Sequence, residues 1–326
     1  MNKLDQLKKI TTVVSDTGDI NSIKQYEPTD ATTNPSLIFQ AAQEEQYQYL
    51  IDDAIRWGMH KTSHEVQMLH QIMDKLFVNF GVEILKFIPG RVSTEVDARL
   101  SYDIEGSVHK ATSLIGLYEA AGIDRNRVLI KLASTWEGVQ AAKLLEKEGI
   151  HCNMTLMFSL VQAVASAEAK ATLVSPFVGR ILDWYTAHEK VDSYPAEKDP
   201  GVISVTEIYN YYKKFGFKTQ VMGASFRNVG EILELAGCDL LTIAPKFLED
   251  LSKTEGNVPQ KLNPATAKTL EIKKLELDEK TFRYLLGDNA MAIEKLSEGI
   301  RKFAADTIKL EKLILQRVQS NNLSKK

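Results

Sequence analysis

Cysteine is scarce in this chain. Cys152 and Cys238 are the only two in 326 residues, and their separation supports neither a disulfide framework nor the paired spacing of a zinc site. No run approaches the roughly 18 apolar residues of a membrane-spanning helix, and residues 1–10 lack the apolar core of a signal peptide. Neither sign of charge prevails: a formal net charge of −3 and a pI near 6.1 provide no long-range attraction for nucleic acid or anionic lipid. An anionic ligand must therefore be held by a local basic cluster. His64 and His70 flank Glu65, but a helix-borne zinc motif needs its two ligands at i and i+4, so these read as helix-surface residues. No glycine-rich dinucleotide or phosphate loop stands after the first strand pattern. The expectation is a soluble cytoplasmic protein with no nucleic-acid, membrane or metal partner.

What the chain does have is an ordinary globular balance, 25% charged and 44% hydrophobic residues, which excludes the disordered and fibrous classes. Strand patterns fall at 11–16, 29–34, 83–88, 127–133, 150–157, 172–178, 218–223 and 239–244. Helical periodicity fills the intervals, at 19–26, 36–58, 63–79, 97–121, 136–148, 160–170, 204–215 and 229–235. Residues 186–201 read as an exposed insertion. Further helices at 246–252, 281–286 and 289–318, a polar stretch at 253–280 and a frayed, disordered tail at 319–326 complete the chain. Eight strands separated by helices imply parallel pairing, and the number matches an α/β fold of the (β/α)8 TIM-barrel type with additional helices, one domain over 1–326. An open doubly wound sheet is the alternative. The helix at 289–318 carries an apolar stripe that packs on the barrel or covers its mouth, with plain packing the simpler reading.

One residue in these strands demands an explanation. Lys131 sits among Val128, Leu129, Ile130, Leu132 and Ala133, a run that reads as fully buried. An ammonium held from water must be paired, reach out to solvent or lose its proton, and a neutral amine can attack a ketone to form a Schiff base. A lysine at a strand end with its charge in water is the simpler alternative. In a barrel, however, the C-terminal strand ends converge on one mouth. Asp16, Asn34, Glu95, Asn153 with Thr155, Ser175, and Ser225 with Arg227 all fall at or just after such ends. Taken singly, Asp16 suits a cap, Asn34 a turn before Pro35, and Glu95 the first turn of a helix. Together they supply what Schiff-base aldol chemistry needs: Lys131 as nucleophile, Asp16 to take the hydroxyl proton as a carbon–carbon bond breaks, and Glu95 for the dehydration steps. Asn34, Asn153 and Ser175 can orient substrate hydroxyls, and Thr155 can hold a proton-carrying water. Arg180 and Arg227 form a clamp for a phosphate dianion, or else are surface ion-pairing arginines.

The segments Val13-Val-Ser-Asp-Thr-Gly-Asp19, Asp30-Ala-Thr-Thr-Asn-Pro-Ser36, Pro89-Gly-Arg-Val-Ser-Thr-Glu-Val-Asp97, Ile130-Lys-Leu-Ala-Ser-Thr-Trp136, Cys152-Asn-Met-Thr-Leu156, Ser175-Pro-Phe-Val-Gly-Arg180 and Gly223-Ala-Ser-Phe-Arg-Asn228 resemble those of the transaldolase family, in its long-chain bacterial form. The resemblance runs from about residue 3 to about 316. It implies a cofactor-free enzyme of the non-oxidative pentose phosphate pathway, commonly a homodimer. Such an enzyme moves a dihydroxyacetone unit from a ketose phosphate to an aldose phosphate. The family's Schiff-base lysine falls on Lys131, its cleavage base on Asp16 and its proton-shuttling pair on Glu95 and Thr155. Its substrate-orienting positions fall on Asn34, Asn153 and Ser175, and its phosphate end on Arg180, Ser225 and Arg227. Shorter aldolase relatives usually carry tyrosine where Phe177 stands and glutamine where Glu95 stands, so this pair implies transfer rather than release of free dihydroxyacetone. A simple aldolase, and a metal-dependent or merely sugar-phosphate-binding barrel, are the competing readings.

Overall fold

The computed structural model describes residues 1–323. Eight parallel strands close into a barrel in chain order: β1 (Thr12–Asp16), β2 (Asp30–Thr32), β3 (Val92–Glu95), β4 (Val128–Ala133), β5 (Cys152–Met157), β6 (Leu173–Pro176), β7 (Gln220–Gly223) and β8 (Leu240–Ile243), with β8 pairing back onto β1. The open-sheet alternative is thereby excluded. Closure explains why β4 reads as apolar throughout. Side chains alternate across a strand, so Val128, Ile130 and Leu132 face outward into the layer between sheet and helices. Leu129 faces the barrel axis, where it meets Val14, Leu173, Met222 and Leu240 from four other strands. Two residues further along four of these five strands, the same inward parity delivers Asp16, Lys131, Ser175 and Thr242, with Ala224 following Met222. The interior is therefore an apolar plug beneath a polar layer, and Lys131 belongs to the polar layer.

The third strand differs from the sequence expectation. Residues 83–85 complete the helix Glu65–Leu85, while β3 begins after the Pro89-Gly90 turn instead of ending at it. Phe77, Phe80 and Ile84 continue one buried helical stripe, and a short apolar run after such a stripe has the same pattern whether it extends the helix or starts a strand. Glu95 accordingly closes β3 itself; it is not the first residue of a following helix. The expected helix 36–58 is broken into Pro35–Ala41 and Gln48–Lys61, and the helix expected at 97–121 starts at Ile104 after a short turn of 3-10 helix, Ala98–Leu100.

Within 186–201, residues 187–193 are exposed as expected, but the helix Val178–Glu189 extends into the segment and Asp199 at its far end is buried. The polar stretch 253–280 contains a short helix, Pro264–Thr269. The last helix runs from Ala290 through Leu323, beyond the 318 expected, so residues 319–323 of the anticipated tail are helical; residues 324–326 lie outside the described residues. This helix crosses the barrel close to β5 and the helix Val178–Glu189. At Gly299 it passes so near that a Cβ would stand 2.6 Å from Leu156 Cδ2 and 3.2 Å from an Arg180 guanidinium nitrogen. Among the described residues no helix is long and apolar enough to cross a membrane.

Candidate active site

A cavity of about 240 Å³ opens at the C-terminal ends of the strands. Its walls include Asp16, Asn34, Lys131, Ser175, Phe177, Arg180, Ser225 and Arg227, eight of the eleven residues singled out from the sequence. The remaining three are set back. Glu95 reaches the cavity through Lys131, Asn153 through Ser175, and Thr155 is wholly buried next to them on β5.

Lys131 is 4% exposed, and its Nζ lies 3.3 Å from Glu95 Oε2 and 3.4 Å from the Thr33 carbonyl oxygen. The strand-end lysine in open water is thus ruled out. Register explains the pairing: Glu95 is opposite Lys131 across β3 and β4, and Lys131 is opposite Asn153 across β4 and β5. Asp16 Oδ1 accepts a hydrogen bond of 2.9 Å from the Thr32 hydroxyl, itself 2.7 Å from the Thr242 hydroxyl. The helix-cap role goes instead to Asp19. Enclosure raises the pKa of both Asp16 and Glu95 above the ordinary carboxylate range, and Lys131 offsets part of each rise. Two carboxyls of raised proton affinity beside one amine form a set able to give and take protons at a carbonyl carbon.

The next layer fixes orientation. Asn153 Nδ2 donates 3.0 Å to Ser93 Oγ, and the Ser175 hydroxyl donates to Asn153 Oδ1. Asn34 does two things at once: its side chain caps the helix Pro35–Ala41 by accepting from Leu37 N at 3.0 Å, and it lines the cavity. Thr155 Oγ1 is buried without a hydrogen-bond partner in the protein. The strand kinks directly after it. Leu156 has φ +51° and the β5–β6 register shifts between Met154 and Met157, a bulge of the kind that re-aims side chains near active sites.

At the other end stand the cations. Arg180 is packed between aromatic rings, its guanidinium carbon 4.8 Å from the Phe177 centroid and 5.3 Å from that of Phe303. Burial first, and Arg227 second, lower its pKa. Arg227 is exposed and makes a two-pronged pair with Asp183, at 3.0 and 2.6 Å, while its Nη1 lies 3.4 Å from Ser225 Oγ. The surface-ion-pair alternative therefore describes one contact of Arg227 and none of the surroundings of Arg180.

Several wall residues escaped the sequence reading. Thr32, on the wall, and Ser93, behind Asn153, stand two positions before Asn34 and Glu95, so strand parity could have found them. Thr242, Phe226 and Phe303 carry no comparable signal, and Phe303 shows that the last helix contributes to the mouth in addition to packing. His70 lies on the surface of the helix Glu65–Leu85 while His64 is the exposed residue that precedes it, and among the described residues no group of histidine, cysteine and carboxylate side chains forms a metal-binding cluster.

A family profile described as transaldolase/fructose-6-phosphate aldolase matches residues 13–314. The chain is 62% identical over 313 residues to a transaldolase of Protochlamydia amoebophila, covering 96% of this chain and 97% of that one. It is 60% identical over 315 residues to a probable transaldolase of Drosophila melanogaster (96% and 95%) and 58% identical over 316 residues to the transaldolase of Homo sapiens (97% and 94%).

Proposed function

The chain belongs to the transaldolase/fructose-6-phosphate aldolase family, and on that premise we propose how its residues carry out dihydroxyacetone transfer. The activity is that of a transaldolase: a three-carbon unit passes from a ketose phosphate, sedoheptulose 7-phosphate or fructose 6-phosphate, to glyceraldehyde 3-phosphate or erythrose 4-phosphate. In our reading the Lys131 amine attacks the ketose carbonyl, and Glu95, working with a water held at Thr155, supplies the proton on which the carbinolamine oxygen leaves as water. Asp16 then removes the proton from the C4 hydroxyl. The C3–C4 bond breaks, the aldose departs, and the enamine left on Lys131 holds the bonding electrons until an acceptor aldehyde takes them.

Asn34, Asn153 and Ser175 orient hydroxyls in this scheme. Arg180, Ser225 and Arg227 hold the phosphate, which places the reacting carbons over the amine through contacts remote from them. Phe177 brings no hydroxyl to the cavity, which favours transfer to an aldose over release to water. The single observation that carries the reading is Lys131 Nζ inside the barrel, 3.3 Å from Glu95, in a cavity whose wall also holds Asp16. Family membership further supports a homodimer working in the cytoplasm without a cofactor.

The test uses fructose 6-phosphate with and without erythrose 4-phosphate, in the presence of a chelator. Sedoheptulose 7-phosphate should form only with acceptor and at an undiminished rate. Steady release of dihydroxyacetone from the donor alone would instead make the protein a simple aldolase.

A further inference from the structure

The last helix is shaped around one side chain of the site, Arg180. That residue lies in the first turn of the helix Val178–Glu189, lines the cavity and is largely shielded from water. A charge so shielded is ordinarily paired with a carboxylate. Arg180 is not: among the described residues no carboxylate stands within ion-pair distance of its guanidinium, and no protein acceptor takes its N–H groups. Two acids on the same two helices are engaged elsewhere. Asp183, three positions on from Arg180, takes Arg227 at 3.0 and 2.6 Å, and Glu298 pairs with Lys295 at 2.7 Å and with Lys302.

What holds the guanidinium is aromatic. The ring centroids of Phe177 and Phe303 lie 4.8 and 5.3 Å from its central carbon, within the range of an attractive cation–π contact. Phe177 is steadied in turn by Phe158, edge-on at 5.6 Å. Phe303 comes from a distant part of the chain, the helix Ala290–Leu323, and although only 2% exposed it reaches the cavity wall. It stands four residues after Gly299, so the two share one helix face. A Cβ at Gly299 would come within 3.2 Å of the same guanidinium. The helix is therefore bare where Arg180 passes and carries a ring one turn later. This kind of support differs from an ion pair in what it leaves behind. A carboxylate takes up N–H donors and offsets the charge, whereas a ring face leaves all five donors and the whole charge for a ligand.

We propose that Phe303 is a positioning residue for the phosphate end of the site: its ring, with that of Phe177, holds the Arg180 guanidinium in place without using its donors, so that the last helix completes the substrate site. This rests on the reading of Arg180 as a phosphate ligand.

The experiment measures kcat and KM for fructose 6-phosphate, with erythrose 4-phosphate as acceptor, and the inhibition constant of inorganic phosphate. It compares the parent with Phe303→Leu, Phe303→Tyr, Arg180→Ala and the double variant Arg180→Ala/Phe303→Leu. Phe303→Leu keeps an apolar side chain but removes the ring face, and should raise both KM and the phosphate inhibition constant about fivefold or more, with a smaller change in kcat. Phe303→Tyr keeps the face and should stay close to the parent. Once Arg180 is alanine, adding Phe303→Leu should cost little further kcat/KM, because the group it positions is gone. Unchanged constants in Phe303→Leu overturn the inference, as does a loss in Phe303→Tyr equal to that in Phe303→Leu. A full additional loss in the double variant overturns it too, since Phe303 would then act by itself. Should Phe303→Leu fail to fold, Phe303→Met carries the comparison. Arg180→Ala separates the two levels. If it leaves KM and phosphate inhibition unchanged, the phosphate reading fails and this inference with it; if it raises both strongly while Phe303→Leu matches the parent, only the role of Phe303 fails.

Discussion

Asp16 and Glu95 both hold their protons more tightly in the folded protein than in the open chain, because enclosure outweighs the pull of Lys131. A raised carboxyl binds extra protons when folded, so its contribution to stability is present at low pH and is lost as pH rises through the folded pKa. Asp16→Asn should therefore melt above the parent at neutral pH, with the difference closing once both states are fully protonated, as thermal melts over a pH series would record. The same substitution removes the base proposed to take the hydroxyl proton, and kcat should fall by about 10²–10⁴-fold. In the parent, the acid limb of kcat/KM should stand higher than an ordinary carboxylate would set it. At this scale the sequence was most informative. Lys131 and Asp16 were legible because polar residues converge at the C-terminal ends of several strands; singly, each had a simpler place, at a strand end or as a cap. Thr242, which meets the hydroxyl of Thr32 and closes the polar layer, was not legible, since threonine is at home in any strand.

The element to which the proposed scheme assigns the phosphate is the loop after β7, wedged against the first turn of the helix Val178–Glu189. A Cβ on Gly179 would stand 2.3 Å from the Ser225 carbonyl oxygen and 2.7 Å from Arg227 Cγ, and the first of these is backbone that cannot turn aside. Gly179→Ala should push the loop outward, raising KM for phosphorylated donors more than it lowers kcat and costing about 1–3 kcal/mol of stability in denaturant titration. Helix and strand identity was legible where periodicity and length agreed, as in β4 and β5. It failed at residues 83–88, where a helical stripe ran on through Ile84 and Leu85 to Phe87 and Ile88 and a Pro-Gly turn that introduces a strand was read as closing one. Nothing in the periodicity of the last helix distinguished Phe303, which reaches the mouth, from its neighbours that pack below.

For the whole molecule, eight alternating strands and helices were enough to anticipate a closed barrel, because right-handed parallel crossovers leave few other ways to bury that many apolar strands. The contribution of the last helix to the mouth could not be read this way, since it depends on a close approach at Gly299 that only the assembled fold reveals. Light scattering should return twice the 36.6 kDa chain mass, in keeping with the proposed homodimer. The most direct test of the central claim is mass spectrometry of the protein after borohydride reduction in the presence of fructose 6-phosphate. A single three-carbon adduct located on Lys131, absent from Lys131→Ala together with turnover, is the expected result. An adduct on a different lysine, or turnover that survives Lys131→Ala, would contradict it.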